Sequence, residues 1–448
     1  MTLVARFADG TVRLDGDLDP TVADTLPAAF DERSGTLRAP AHRYAALRDA
    51  LDAAGVDYED RVFDLPTLDL STTYDLRDYQ SAALAAWTEA GRRGVLELPT
   101  GSGKTVVAVR AIADLSMPTL VVVPTVDLLT QWRRELETEF AVLVGQLGGG
   151  EQRLEALTVA TYDSAYLRAD EIGDRFGFVV FDEVHHLGGE GYRDIARFLP
   201  APARLGLTAT FERPDGAHEV VADLVGPVVY DRSVDDLAGD HLADYELRRV
   251  EVELTPAERE AYEDAQGTFV DYLKTSNLSL SSGSDYRELV KRSGSDPRAR
   301  EALLAKQEAR EIMMNSAAKV DALERIFARH PDARTIVFTA HTDLVYRLSE
   351  RFLAPAITAE TGAGERRTIL DRFREGTYTR VVAANVLDEG VDVPDASVGV
   401  ILSGSGSERE FTQRLGRVLR PKADGRGAVC YEVVSAETAE ERVADRRR

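Results

Sequence analysis

In FDEVHHLGGEGY, Phe181 to Tyr192, two adjacent carboxylates stand beside two adjacent histidines. A metal hydrolase and a nucleotide-driven machine would each use such residues. Neighbouring histidines on a helix or strand point apart, whereas a zinc box of the H-E-x-x-H kind holds its ligands one helical turn apart. No third ligand set at metal spacing follows, so the carboxylates carry more of the signal than the histidines. They close the apolar run FVVFDE, and an acidic pair at the carboxyl end of a strand is placed to serve a phosphate-bound cation and a water. On this reading Asp182 holds Mg²⁺ in its outer sphere and Glu183 polarises the attacking water as a general base.

The partner signal is LPTGSGKT, Leu98 to Thr105, between the strand-like VLE and the helical run VVAVRAIADL. Gly101 and Gly103 let the backbone of Pro99, Thr100 and Ser102 curl so that successive N–H groups face a polyphosphate. The helix that follows adds a favourable dipole. Lys104 reaches the β- and γ-phosphates, and Thr105 supplies a hydroxyl to the metal ion. The ligands implied are ATP and Mg²⁺, with Thr105 and Asp182 on the metal.

These motifs need strands that end together. Short β-branched runs (VLELP, TLVVVP, LTVATY, FGFVVFDE, RLGLTAT) alternate with helical patterns from Val95 onward, the rhythm of a parallel sheet with crossover helices. A second series (TIVFTA, RVVAAN, SVGVILSG, GAVCYEVV) repeats it later. The fold class is therefore α/β with two such units. A hairpin-like start (VARFADGTVRLDG) and a helical stretch (HRYAALRDALDAAG) form a small α+β module over residues 1–70. Residues 71–240 hold the first α/β unit, 241–316 a connection with a charged helical insertion around the Ser-rich SNLSLSSGSD, and 317–448 the second unit.

The chain has 448 residues, a net charge of −23 and one cysteine, Cys430, which excludes an internal disulfide and reads as a buried small hydrophobe. The N-terminus lacks the order of a signal peptide and no apolar run is long enough to span a bilayer, so the expected compartment is the cytoplasm, with no membrane partner. An acidic chain ordinarily repels nucleic acid. Here the lysines number only six (104, 274, 291, 306, 319 and 422), arginine is abundant and the acids are dispersed, a pattern that resembles proteins of halophilic archaea. At molar salt the Debye length is about 3 Å, and a dispersed acidic surface no longer repels a phosphate backbone. Three of the lysines fall in the helical insertion, which fits a local anionic partner or a solvated helix face equally.

DEVH resembles the second motif of superfamily 2 helicases, and PTVDLLTQW (124–132), VATYDSA (159–165), LGLTAT (205–210), VLDEGVDVPDA (386–396) and QRLGRVLR (413–420) follow in that family's order. DEVHHL, LGLTATFER and SGSGSEREFTQRLGRVLRP with an intervening helical thumb resemble more narrowly the archaeal XPB/Rad25 branch, from about Tyr74 to Ser435. The resemblance implies two RecA-like motor domains, an N-terminal module like that family's damage-recognition domain, and an ATP-dependent 3′-to-5′ DNA helicase acting in repair or transcription-linked opening. It implies Arg77 and Gln80 of LRDYQ at the adenine, Gly390 near the γ-phosphate and Asp392 near the ribose. Gln413 then positions the water beside His185, Arg417 and Arg420 act as arginine fingers, and Thr208 and Thr210 couple closure to the first domain. Thr125, Thr161, Thr339 and Asn385 take positions that hydrogen-bond a nucleic-acid backbone.

One departure bears on activity. The archaeal relatives carry Arg-Glu-Asp after the TAT motif, tied to strand separation, and this chain has Arg213-Pro214-Asp215; proline removes a carboxylate and a backbone donor. Three readings therefore stand: a helicase, a duplex translocase that remodels without separating strands, and a nucleotide-gated scaffold that recruits a nuclease. His186 has no role assigned beyond packing or a hydrogen bond.

Overall fold

In a computed structural model of the chain, the described residues are 2–213, 215–233, 236, 245–276, 278, 283–384, 396–403 and 428–441. They divide at Leu242 into two units.

The first unit opens with Leu3–Ala8 (β1) and Thr11–Asp15 (β2), antiparallel about Asp9 and Gly10, both of which take the positive φ that a tight hairpin demands. Ala29–Asp31 (β3), Thr36–Pro40 (β4) and Tyr58–Arg61 (β5) complete a sheet in the order β3-β4-β2-β1-β5. The helix Tyr44–Ala53 buries Tyr44, Leu47 and Leu51, a stripe at helical spacing, in the core of this module. The module seats on the domain that follows: Gly10 lies so close to Phe198 that a Cβ there would come within 2.6 Å of its ring.

That domain is an eight-stranded sheet. Its strands are Arg93–Glu97 (β6), Thr119–Val123 (β7), Val144–Gly148 (β8), Glu151–Arg153 (β9), Leu157–Thr161 (β10), Phe178–Asp182 (β11), Ala203–Thr208 (β12) and Val228–Asp231 (β13). The order is β13-β6-β12-β11-β7-β10-β8-β9, parallel except for the β8–β9 hairpin. Helices cover both faces, so β7, β10, β11 and β12 are buried at every position, as their β-branched sequences predict. Inside it, the Arg204 guanidinium donates to the carbonyls of Leu199, Ala201 and Leu224, joining the ends of two helical segments to β12.

The second unit is built on a parallel sheet of Tyr245–Val252 (β14), Thr335–Phe338 (β15), Ala356–Ile357 (β16), Arg380–Ala383 (β17), Val398–Ile401 (β18) and Ala428–Ser435 (β19), in the order β14-β19-β18-β15-β17-β16. Between β14 and β15 the helices Pro256–Ser276, Gly283–Ser293 and Pro297–Met314 form the insertion, with two apolar cores of their own. Gly283, near the end of the Ser-rich stretch, already belongs to a helix. Cys430 is buried in β19, where desolvation pushes its thiol up to about 12.

Candidate nucleotide site and nucleic-acid face

The order β6-β12-β11 brings three carboxyl ends together, and the chemistry-bearing residues leave from them. β6 runs into the glycine loop, and Lys104 opens the helix Lys104–Leu115. Gly101 (φ 84°) and Gly103 (φ 81°) hold left-handed conformations that any side chain would strain. A Cβ on Gly103 would also come within 2.5 Å of Gln80 Nε2. Lys104 is nearly buried and its Nζ donates to the carbonyls of Leu98 (3.0 Å) and Pro99 (3.4 Å), which hold it folded over the loop. Ser102 is fully buried, and neither its hydroxyl nor that of Thr100 has a hydrogen-bond partner among the described residues.

Arg77 and Gln80 meet this loop from the helix Asp78–Glu89. Gln80 Oε1 accepts from the Arg77 N–H at 2.9 Å while Nε2 donates to the Ser102 carbonyl at 2.9 Å, and the Tyr79 hydroxyl donates to the same carbonyl. Gln80, expected at an adenine, is thus also a clamp between the helix start and the loop.

Asp182 ends β11 almost buried. Desolvation raises its pKa, opposed by the Trp132 indole N–H (2.7 Å to Oδ2), by the Lys104 ammonium and by the Glu183 N–H (3.0 Å to Oδ1). Glu183 follows at φ 47° and ψ 55°, a left-handed conformation that costs a non-glycine residue about 1–2 kcal/mol. It turns the chain into the short 3₁₀ segment Val184–Gly188 and sets Glu183 Oε2 3.6 Å from His185 Nδ1. His185 Nδ1 is also 3.1 Å from Thr208 Oγ1 at the end of β12. Because the Thr208 hydroxyl donates to the Thr210 carbonyl, its remaining capacity is as an acceptor, and Nδ1 carries the proton. His185 therefore ties the acidic pair to the TAT segment.

His186 packs its ring on that of His185, centroids 4.5 Å apart, and on its other side lies against Tyr162 with ring centroids 5.7 Å apart. The two rings do not point apart as neighbours on a helix or strand would, because the chain turns at Glu183 into a 3₁₀ segment that brings them together. Asp182, a nearby ammonium, a Thr105 hydroxyl in the first helical turn and a positive-φ loop lined by buried hydroxyls together fit a nucleotide triphosphate with its divalent cation.

A second cluster lies on the far side of β11. Thr125 and Thr161 close the neighbouring strands β7 and β10, and each caps the helix that follows: Thr125 Oγ1 accepts from Leu128 N, and Thr161 Oγ1 from Ser164 N. Between them lies a feature the motif reading passed over, the Gly148-Gly149-Gly150 turn, with φ of 124°, 62° and 89°. Cβ atoms there would crowd Thr161 Oγ1 (2.9 Å) and the Val126 side chain (3.0 Å). The run of three glycines between two short strand patterns was the available signal.

Other expected contacts are placed differently. Thr339 is fully buried, its hydroxyl 2.8 Å from Ser403 Oγ, so the strand end in the second unit turns that group inward. Arg213 forms a two-pronged ion pair with Asp215 (2.7 and 3.0 Å), which holds the Asp215 carboxyl below its ordinary range, and gives a further N–H to the His185 carbonyl at 2.7 Å. Asn385, Gly390, Asp392, Gln413, Arg417 and Arg420 lie outside the described residues.

Comparisons with known proteins bear on these two clusters. Three family models match: the res subunit of type III restriction enzymes over residues 73–213, the helicase conserved C-terminal domain over 318–422, and the Xeroderma pigmentosum group B helicase damage recognition domain over 6–62. The chain is 43% identical over 409 residues to the DNA 3'-5' translocase XPB2 of Sulfurisphaera tokodaii, covering 91% of this chain and 92% of that one. It is 33% identical over 388 residues to the DNA 3'-5' helicase XPB of Mycobacterium tuberculosis, covering 84% of this chain but 63% of that longer relative. Among solved structures the Pyrococcus furiosus Hef helicase domain is similar in fold, with a TM-score of 0.53 at 21% identity, covering 83% of this chain and 98% of that one.

Proposed function

The chain belongs to the XPB family of superfamily 2 helicases, and from that premise we propose that it is an ATP-driven motor that moves 3′ to 5′ on DNA and opens or remodels the duplex. The observation that carries the reading is the convergence of the glycine loop, Lys104, Asp182 and Glu183 at the carboxyl ends of β6 and β11, with His185 bridging to Thr208 on the strand between them.

In this mechanism the loop N–H groups and Lys104 bind the polyphosphate, and Lys104 trades its two carbonyl contacts for phosphate oxygens. Thr105 and Asp182 would hold Mg²⁺, which would neutralise phosphate charge there. Glu183 takes the proton of the attacking water. Its strained backbone fixes the carboxylate close to His185, which donates its Nδ1 proton to Thr208 and so links the hydrolysis pair to the TAT segment. Arg417, Arg420 and Gln413 complete the site from the second motor domain in this proposal, with Gly390 and Asp392 at the nucleotide. Thr125, Thr161 and Asn385 contact the nucleic-acid backbone.

A second reading, translocation without strand separation, is favoured by Arg213. Its guanidinium is spent on Asp215 and on the His185 carbonyl, within the protein. By family analogy, cleavage is left to a separate nuclease partner. A forked duplex with one fluorescent strand separates the two motor readings: a helicase releases the strand as ATP is hydrolysed, and a translocase hydrolyses ATP and displaces a bound roadblock while the fork stays paired. ATP turnover that ignores DNA contradicts both.

A further inference from the structure

Asp182 is held by two aromatic residues that the motor reading leaves without a task. Trp132, buried in the helix Val126–Phe140, donates its indole N–H to Asp182 Oδ2 at 2.7 Å. Tyr162, buried at the start of the helix Tyr162–Tyr166, donates its hydroxyl to the Asp182 carbonyl at 3.2 Å and packs on His186 and Tyr192. The two helices are those that Thr125 and Thr161 cap. Their strands, β7 and β10, are adjacent, and β7 pairs directly with β11, which ends at Asp182.

We infer that Trp132 and Tyr162 are positioning residues that carry nucleic-acid engagement at the two capped helix starts to the carboxylate of Asp182. The inference rests on the proposed nucleic-acid role of Thr125 and Thr161. Each helix is a short rigid lever with a face residue at one end and a hydrogen bond to Asp182 within its first two turns. A shift of a few tenths of an ångström in either helix moves a donor on Asp182 across the range in which a hydrogen bond weakens steeply. The carboxylate is nearly buried, and no solvent shell replaces a lost donor. A ligand on the face thus changes where the metal-holding oxygen sits.

Trp132→Phe removes the indole N–H, and Tyr162→Phe removes only a hydroxyl. Steady-state ATP hydrolysis is measured with and without single-stranded DNA, together with DNA affinity. Each variant is expected to lower the ratio of stimulated to basal rate by roughly 2- to 10-fold, the effect of one hydrogen bond, with DNA affinity within twofold of the parent. An equal fall in both rates, or an unchanged ratio, overturns the coupling; if Trp132→Phe fails to fold, Tyr162→Phe decides. An independent readout needs no turnover. The chain has two tryptophans, so Trp87→Phe leaves Trp132 as the sole indole. Its emission is expected to change when nucleotide-free protein is saturated with single-stranded DNA, and constant emission overturns the inference. Thr125→Ala with Thr161→Ala separates the premise: DNA affinity left intact by that pair defeats the nucleic-acid face itself, whereas weakened affinity beside an unchanged rate ratio in the aromatic variants defeats only the coupling.

Discussion

Replacing Gly103 by alanine tests how the glycine loop is held. Gly103 sits at φ 81° and ψ 36°, which costs an alanine about 1–2 kcal/mol. The new Cβ would meet Gln80 Nε2 at 2.5 Å, and the amide must swing away. That motion breaks the Gln80 bond to the Ser102 carbonyl and the bond from Arg77 N, each worth roughly 0.5–1.5 kcal/mol. The local cost is then about 2–5 kcal/mol. Gln80→Ala loses the same two bonds together with the long 3.4 Å bond from Nε2 to the Gly103 carbonyl, about 1–3 kcal/mol in all. In the double variant those bonds are lost once, so the two changes should be sub-additive by about 1–3 kcal/mol. Native-state hydrogen exchange of the amides in the first turn of the Lys104–Leu115 helix reads this local opening energy directly, and affinity for a fluorescent ATP analogue provides a second cycle. Additivity within about 0.5 kcal/mol would show that Gln80 does not brace the loop.

His185→Ala should leave affinity for the ATP analogue within about threefold while cutting DNA-stimulated turnover about tenfold, the effect of losing one hydrogen-bonded link of about 1.5 kcal/mol; equal losses in both would make the residue a packing element. Glu97, which accepts from Phe211 N beside the loop, has its pKa raised by burial. Its protonated form therefore stabilises the fold fully below the ordinary glutamate value of about 4.3, and that contribution is lost as pH rises through the raised value. Glu97→Gln should accordingly raise the melting temperature at neutral pH and lose the advantage below about pH 4, and an unchanged melting temperature at pH 7 refutes the assignment. The proposed face offers hydroxyls and glycine backbone, so DNA affinity should fall gently with salt; a log–log slope near −8 would point to a multi-cation interface instead.

How much of this was legible in sequence depends on what each signal needed. β7, β10, β11 and β12 could be read because runs such as TLVVV and FVVFD are β-branched, apolar and sharply bounded. β8, VGQLG, could not: its Gln146 is buried only because Arg133 and the Gly148 carbonyl satisfy its amide, a tertiary arrangement no local pattern announces. β14, YELRRVEV, reads as charged surface, yet Arg249 lies 3.4 Å from Glu432 on the adjacent strand, both largely shielded. The glycine loop and the acidic pair were visible because their chemistry is carried by neighbours in sequence. Trp132 and Tyr162 look like core aromatics until the fold brings them, from 50 and 20 residues away, to the carboxylate and the backbone carbonyl of one residue, Asp182. The inward turn of Thr339 depends on Ser403, 64 residues on, and is equally invisible.

In the proposed motor, Asp182, Glu183 and the glycine loop form a nucleic-acid-dependent ATPase site. The most direct measurement is the steady-state ATP hydrolysis rate in molar KCl with single-stranded DNA, duplex, fork or RNA, for the parent chain and for Glu183→Gln. Stimulation by DNA is expected, with a Glu183→Gln variant that binds the ATP analogue normally yet turns over about 10²- to 10⁴-fold more slowly. Hydrolysis indifferent to every nucleic acid, or a Glu183→Gln variant that still turns over at the parent rate, would contradict it.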